Sequence, residues 1–208
     1  APATISQDPE VRRAGRSVFK VRSNNKCGNG IEGTGFLYSP NRLMTNAHVV
    51  AGVTKPKVKV GSQTVDAKVV YYDPQLDLAV LDVPRLSGPY IGFDKGGEPL
   101  QVGATLGYPE DGPFSAKPAR IRAQQRLRSP DIYGNGTVFR DVFSLRGEIR
   151  NGNSGGPLVS ADGKVLGVVF AASVTDPNTG YALTAKQVAE SAARGITNDR
   201  QVSTMGCS

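Results

Sequence analysis

The sequence predicts an all-β chain with one short helix near its N-terminus and another near its C-terminus. Three observations predict this. Apolar residues come in short alternating runs, the period of half-buried strands. Turn formers are dense, with 25 glycines and 14 prolines among 208 residues, and they fall between those runs. Helix-start signals stand at Asp8-Pro9-Glu10 and at Thr184-Ala185-Lys186-Gln187. A chain of this length buries a real core as one large domain or two small packed ones.

Taken in order, residues 1–7 read as a tail. Asp8 as N-cap and Pro9 at N1 predict a helix through Arg16. Ser17 to Val21 alternates and begins the strands. Gly28 to Gly35 is a glycine-rich hairpin region before Phe36-Leu37-Tyr38, and Pro40-Asn41 is a turn. Lys57–Val60 and Thr64–Tyr71 alternate as strands. Leu78–Leu81 is apolar on both faces and predicts a buried strand. Gly88–Pro99 carries little periodicity and is placed as the connection between two halves, 1–97 and 98–208. Leu100–Leu106, Ala119–Arg128, Val138–Arg146 and Lys164–Phe170 are the next strands, with turns at 161–163 and 176–180 before Tyr181-Ala182-Leu183. Thr184 and Gln187 fit a capping box, and Gly195 is expected to end that helix at C′.

The net charge is +7, which raises the possibility of a polyanionic partner. The basic residues are scattered, however: Lys55, Lys57, Lys59 and Lys68, then Arg120, Arg122, Arg126 and Arg128. Their alternate spacing suits the wet face of strands and no aromatic residues interleave with them, so nucleic acid is not an expected partner. Two cysteines, Cys27 and Cys207, provide no metal site of Cys/His type and are either two free thiols or one disulfide. No metal or cofactor is expected. No apolar run reaches the ~18 residues of a membrane span and no signal peptide is visible. The start at Ala1 without Met reads as a mature form or an excised fragment.

Three stretches carry chemistry. In Asn151-Gly152-Asn153-Ser154-Gly155-Gly156-Pro157 the glycines allow a sharp turn that presents a hydroxyl and aims backbone N–H groups at one point. A serine hydroxyl needs an adjacent base, and the chain has one histidine, His48, within Leu43-Met44-Thr45-Asn46-Ala47-His48-Val49-Val50. Asp77 opens the buried strand, where a carboxylate needs a partner. Asp73 sits in an Asx-Pro turn, and Asp82 is expected to face solvent. No histidine follows Ser154, so the Ser-acid-His chain order of α/β-hydrolases fails, and the order His, Asp, Ser remains.

These stretches resemble the chymotrypsin-fold serine proteases. Gly152-Asn153-Ser154-Gly155-Gly156-Pro157 matches their nucleophile pattern, Thr45-Asn46-Ala47-His48 resembles the histidine motif of the HtrA branch, and Asp77-Leu78-Ala79 matches the acid motif. Within that branch the chain is similar to the periplasmic, membrane-anchored serine proteases of mycobacteria (MarP type). The resemblance implies two six-stranded antiparallel β-barrels. The first carries His48 and Asp77, the second carries Ser154 and the C-terminal helix, and the site lies in the cleft between them. It implies a serine endopeptidase with catalytic His48, Asp77 and Ser154, an oxyanion hole from the N–H groups of Gly152 and Ser154, and a Cys27–Cys207 disulfide. It also implies an envelope enzyme active on protein or peptide substrates in envelope protein processing or stress resistance, monomeric, and meeting a membrane only through segments outside this chain. No C-terminal PDZ domain is expected.

By register Glu148 falls at the family's pocket-floor position, which would favour basic side chains, although a solvent-facing Glu148 is the alternative. Phe170, Ala171 and Ala172 would form the edge that pairs with substrate backbone. Two departures matter. Asn153 stands where many digestive proteases have Asp, and the chain lacks an Ile-Val-Gly-Gly start, so activation by N-terminal insertion is not expected. Phe170 stands where those proteases have a serine supporting the acid, which leaves Asp77 to backbone N–H groups or Thr45. The rival readings are a catalytically silent peptide-binding or chaperone-like module on the same fold and a basic polyanion-binding domain.

Overall fold

The computed structural model describes residues 3–86 and 88–208; of the residues read as an N-terminal tail, Ala1 and Pro2 lie outside it. Ala3–Gln7 are not a free tail but a 3-10 turn, with Ile5 buried in the core. Helix α1 (Pro9–Gly15) follows, and buries Val11 and Ala14.

The first half is one antiparallel sheet of seven strands: β1 (Val18–Asn24), β2 (Gly30–Ser39), β3 (Arg42–Thr45), β4 (Lys57–Val60), β5 (Gln63–Asp66), β6 (Lys68–Asp73) and β7 (Leu78–Asp82). Their spatial order is β5-β4-β1-β2-β3-β7-β6. The seventh strand arises because the alternating run 64–71 breaks at Ala67. That residue is buried and its N–H leaves the ladder for the carbonyl of Pro56, at 2.9 Å. The second half is a closed six-stranded barrel of β8 (Val102–Gly107), β9 (Ser115–Ser129), β10 (Val138–Arg146), β11 (Pro157–Val159), β12 (Val165–Ala172) and β13 (Thr179–Thr184). Its order is β10-β13-β12-β11-β8-β9.

One apolar cluster spans both halves. It joins Phe36, Met44 and Val80 of the first to Leu106, Val159 and Val168 of the second, and to Val188 and Ala192 of the C-terminal helix α3 (Ala185–Thr197). Burial of this kind, at roughly 25 cal/mol per Å² of apolar surface, is what holds two such halves at a fixed cleft. Thr184 caps α3 by accepting the Gln187 N–H at 3.1 Å. The capping box is only half made, because the Gln187 side chain accepts from Asp141 N–H instead. Gly195 does not end the helix. It is buried inside it, where a Cβ would collide with Val80 and the Tyr38 hydroxyl; the glycine permits close packing, and α3 runs on to Thr197. No helix among the described residues is long and apolar enough to cross a membrane.

After α3 the chain returns over the first half. Val202 N–H donates to Val69 C=O, Gly52 N–H donates to Thr204 C=O, and the Thr204 hydroxyl donates to Val53 C=O. The tail ends in a Cys27–Cys207 disulfide.

Candidate active site

His48 stands on a single helical turn, α2 (Ala47–Val50), directly after β3. Ala47, Val49 and Val50 are fully buried and anchor the turn, which leaves the His48 side chain 32% exposed. Asp77 precedes β7, the strand paired with β3. It takes a left-handed backbone (φ 62°). The Asx turn of Asp73, whose carboxylate accepts Gln75 and Leu76 N–H, brings the chain there. The Asp77 carboxylate is 7% exposed and accepts twice from His48, from the backbone N–H at 2.9 Å and from Nδ1 at 2.7 Å. A carboxylate only accepts, so the proton resides on Nδ1 and Nε2 is left free as a base. Asn46 Nδ2 donates to Asp77 C=O at 2.8 Å and ties the two segments together.

The question left open by Phe170 is thereby answered. Backbone N–H of His48 supports the acid, while the Thr45 hydroxyl goes to Thr34 C=O at 2.8 Å. Asp82, expected in solvent, is half-buried and ion-paired with Arg42 at 3.1 Å across the β3–β7 ladder. Burial pushes the His48 imidazole toward neutrality, but the charge and hydrogen bond of Asp77 outweigh it and hold the pKa above its ordinary value of 6.5.

Ser154 lies in a loop whose bends need glycine. Gly152 (φ 96°) and Gly155 (φ 90°) have left-handed backbones. A Cβ on Gly152 would strike Tyr108 C=O, and one on Gly155 would strike Thr34 C=O and the Thr45 hydroxyl. The loop is pinned by Asn153 N–H to Arg150 C=O at 3.1 Å, Gly156 N–H to Asn153 C=O at 3.0 Å and Gly155 N–H to Val169 C=O at 2.8 Å. From the other half, Thr34 N–H holds Ser154 C=O at 2.9 Å. The N–H groups of Gly152 and Ser154, and the Ser154 hydroxyl, make no hydrogen bond among the described residues.

The expected substrate residues separate into two groups. Phe170, Ala171 and Ala172 lie at the end of β12, where Ala171 and Ala172 pair with β13. The β11 ladder on the other side stops at Val168, so a strand edge is open there among the described residues. Glu148 is 40% exposed and ion-paired with Arg150, whose guanidinium also faces Glu110. It lines a 210 Å³ surface cavity with Lys117, Glu110 and Asn153. Ile149, next to Glu148, is buried instead, seated over Gly180 where a Cβ would collide with it. Sequence reading passed over Ile149; the signal was an apolar residue between two charges, facing a strand that carries a glycine.

The chain matches the model of the trypsin-like peptidase domain over residues 33–168. It is 48% identical over 193 residues to the serine protease Rv3671c of Mycobacterium tuberculosis, covering 90% of this chain and 48% of that protein. It thus spans about half the length of that relative. A probable periplasmic DegP-like serine endoprotease of Chlamydia pneumoniae is 35% identical over 145 residues, covering 66% of this chain and 28% of that protein. The crystal structure of the M. tuberculosis Rv3671c protease in its active form superposes with a TM-score of 0.95 at 44% identity, covering 100% of this chain and 92% of the other. On this sequence match, these relatives and this fold, the chain belongs to the trypsin-like peptidase domain family.

Proposed function

We propose that the chain is a serine endopeptidase in which His48, Asp77 and Ser154 form the catalytic triad. The observation that carries this reading is the doubly bonded Asp77–His48 pair in one half, with the Thr45-Asn46 segment before His48 packed against Gly155 of a serine loop in the other, whose Gly152 and Ser154 N–H groups are unpartnered among the described residues. His48 Nε2 takes the Ser154 proton as the hydroxyl attacks the scissile carbonyl, and returns it to the leaving amine. Water then repeats the cycle on the acyl-enzyme. Gly152 and Ser154 N–H receive the oxyanion, each such donor being worth roughly 3–4 kcal/mol in turnover. Bonds of this kind are loose in an unliganded site and tighten on substrate binding.

The substrate strand adds to the open edge at 170–172 by β-augmentation. The Glu148–Arg150 pair takes up the carboxylate at the expected pocket floor, which argues against a preference for basic P1 side chains. The periplasmic naming of the DegP-like relative and the disulfide favour an oxidising envelope compartment, where the enzyme acts on envelope proteins.

Labelling with a fluorophosphonate, followed by a peptide-library digest read by mass spectrometry, tests the reading. Stoichiometric label on Ser154 and peptide cleavage without enrichment of basic P1 residues are the expected results. Absence of both identifies a silent peptide-binding module instead.

A further inference from the structure

Thr34 lies in β2, in the first half, yet its polar groups serve the nucleophile loop of the second. The residue is fully buried. Its N–H donates to Ser154 C=O at 2.9 Å. Its hydroxyl accepts Tyr108 N–H at 3.1 Å and donates to Gly152 C=O at 2.6 Å. Its carbonyl accepts the Thr45 hydroxyl at 2.8 Å, three residues before His48. A hydroxyl has one proton. Because Thr34 Oγ accepts from Tyr108, that proton is committed to Gly152.

This matters because of where the two free N–H groups sit. The peptide plane between Gly152 and Asn153 is held at both ends, its C=O by Thr34 Oγ and its N–H by Arg150 C=O at 3.1 Å. The next carbonyl, Asn153 C=O, is held by Gly156 N–H at 3.0 Å, and the one after it, Ser154 C=O, by Thr34 N–H at 2.9 Å. Gly152 has no Cβ to restrict it, so its left-handed conformation persists only while neighbours impose it. The planes that carry the unpartnered N–H groups are held by Glu110 N–H on Asn151 C=O and Gly156 N–H on Asn153 C=O, and the planes that flank them, at Gly152 C=O and Ser154 C=O, are both held by one residue of the other half.

We propose that the Thr34 hydroxyl is a positioning element of the oxyanion hole, locking the Gly152 carbonyl so that the Gly152 and Ser154 N–H groups converge on the reacting oxygen. Thr34 touches no reacting atom and acts through the loop. The inference rests on the serine endopeptidase reading, and its test separates the two.

Wild type, Thr34→Val and Thr34→Ser are compared in kcat and KM on a peptide amide taken from the library digest, in fluorophosphonate labelling rate, in pH–rate profile and in melting temperature. Valine keeps the shape and removes the hydroxyl. Its kcat is expected to fall about 10- to 100-fold with KM within about threefold, since a misaimed oxyanion donor is felt in the transition state alone. Labelling should slow in parallel, while the acid limb stays in place because the His48–Asp77 pair is untouched. Serine keeps the hydroxyl and loses a methyl, so kcat within about threefold of wild type is expected even at a lower melting temperature.

Wild-type kcat in the valine variant, a loss confined to KM, or equal losses in both variants would overturn the proposal. Should the valine variant fail to fold, the serine variant decides: retained kcat supports the hydroxyl's role and a loss of about tenfold or more overturns it. A wild type that neither takes the label nor cleaves any peptide overturns the endopeptidase reading and this proposal with it.

Discussion

The two halves build their shares of the site in different ways. His48 and Asp77 follow β3 and precede β7, neighbouring strands of one sheet, and they complete each other with two hydrogen bonds. The His48–Asp77 pair, proposed as base and acid, is closed within the first half. The Ser154 loop is closed only in part by its own barrel, through Val169, Glu110, Asn153 and Arg150, and further support reaches across from Thr34. A proton relay can be assembled from adjacent strands. Presenting a nucleophile with free N–H groups beside it leaves loop polar groups unsatisfied, and an outside partner must restrain them.

The bluntest way to break this comparison is Ser154→Ala. Turnover should fall by about 10⁴–10⁶. The Ser154 hydroxyl bonds to nothing among the described residues, so the melting temperature should hold. Peptide hydrolysis within tenfold of wild type would remove Ser154 from its role.

Asp77→Asn attacks the other half of the comparison. An amide can donate to Nδ1 and stabilise the wrong tautomer, so kcat should drop by about 10⁴. It also loses an ionic acceptor for His48 N–H, so a modest drop in melting temperature should accompany it. Steady-state kinetics and thermal melts of the variant check both.

The disulfide tests whether the halves act as one body. Its loop closes 180 residues of separation, which in the chain-entropy account is worth about 5 kcal/mol at most. Cys207 packs on Gly52, two residues beyond the turn that bears His48. Reduction should lower the melting temperature and the rate while far-UV circular dichroism is retained, since Thr204, Val202 and Gln201 still bond the tail to the first half. Dithiothreitol with no effect on either rate or melting would show the bond to be incidental.

The smallest effect sharpens the first half alone. The raised His48 pKa puts the acid limb of kcat/KM above pH 6.5, the base being neutral only at higher pH. Because the folded pKa is the higher one, the pair's contribution to stability is full below pH 6.5 and fades as pH rises through the folded value. With one histidine in the chain, a single imidazole resonance in the Ser154→Ala background reports it. In the double variant with Asp77→Asn, burial alone remains and the midpoint should move below wild type. A resonance that ignores Asp77 would contradict the pairing.

What could be read in the sequence followed physical locality. Leu78–Leu81, apolar on both faces, is a buried strand, and Thr184 caps α3. These depend on residues within a few positions of one another. The misreadings were those where distant packing intervened. Gly195 looked like a helix stop because local rules price glycine by its backbone freedom; in the fold it is a gap filled by Tyr38 and Val80. Thr64–Tyr71 looked like one strand because alternation continues across Ala67, whose N–H finds Pro56 instead of a strand partner. Asp82 looked solvent-facing until β3 placed Arg42 against it.

By itself the sequence determined which residue types stand in the proposed site, their order along the chain and the glycines that permit the bends around Ser154, because these rest on side-chain chemistry and on backbone torsions. The tertiary structure alone decided which groups meet: that His48 N–H rather than Thr45 supports Asp77, that Glu148 is spent on Arg150 while Ile149 is buried, and that Thr34 holds the loop around Ser154. Hydrogen bonds and packing act over a few ångströms, and residues as far apart as Thr34 and Gly152 come within that range only once the two halves have closed on their shared apolar core.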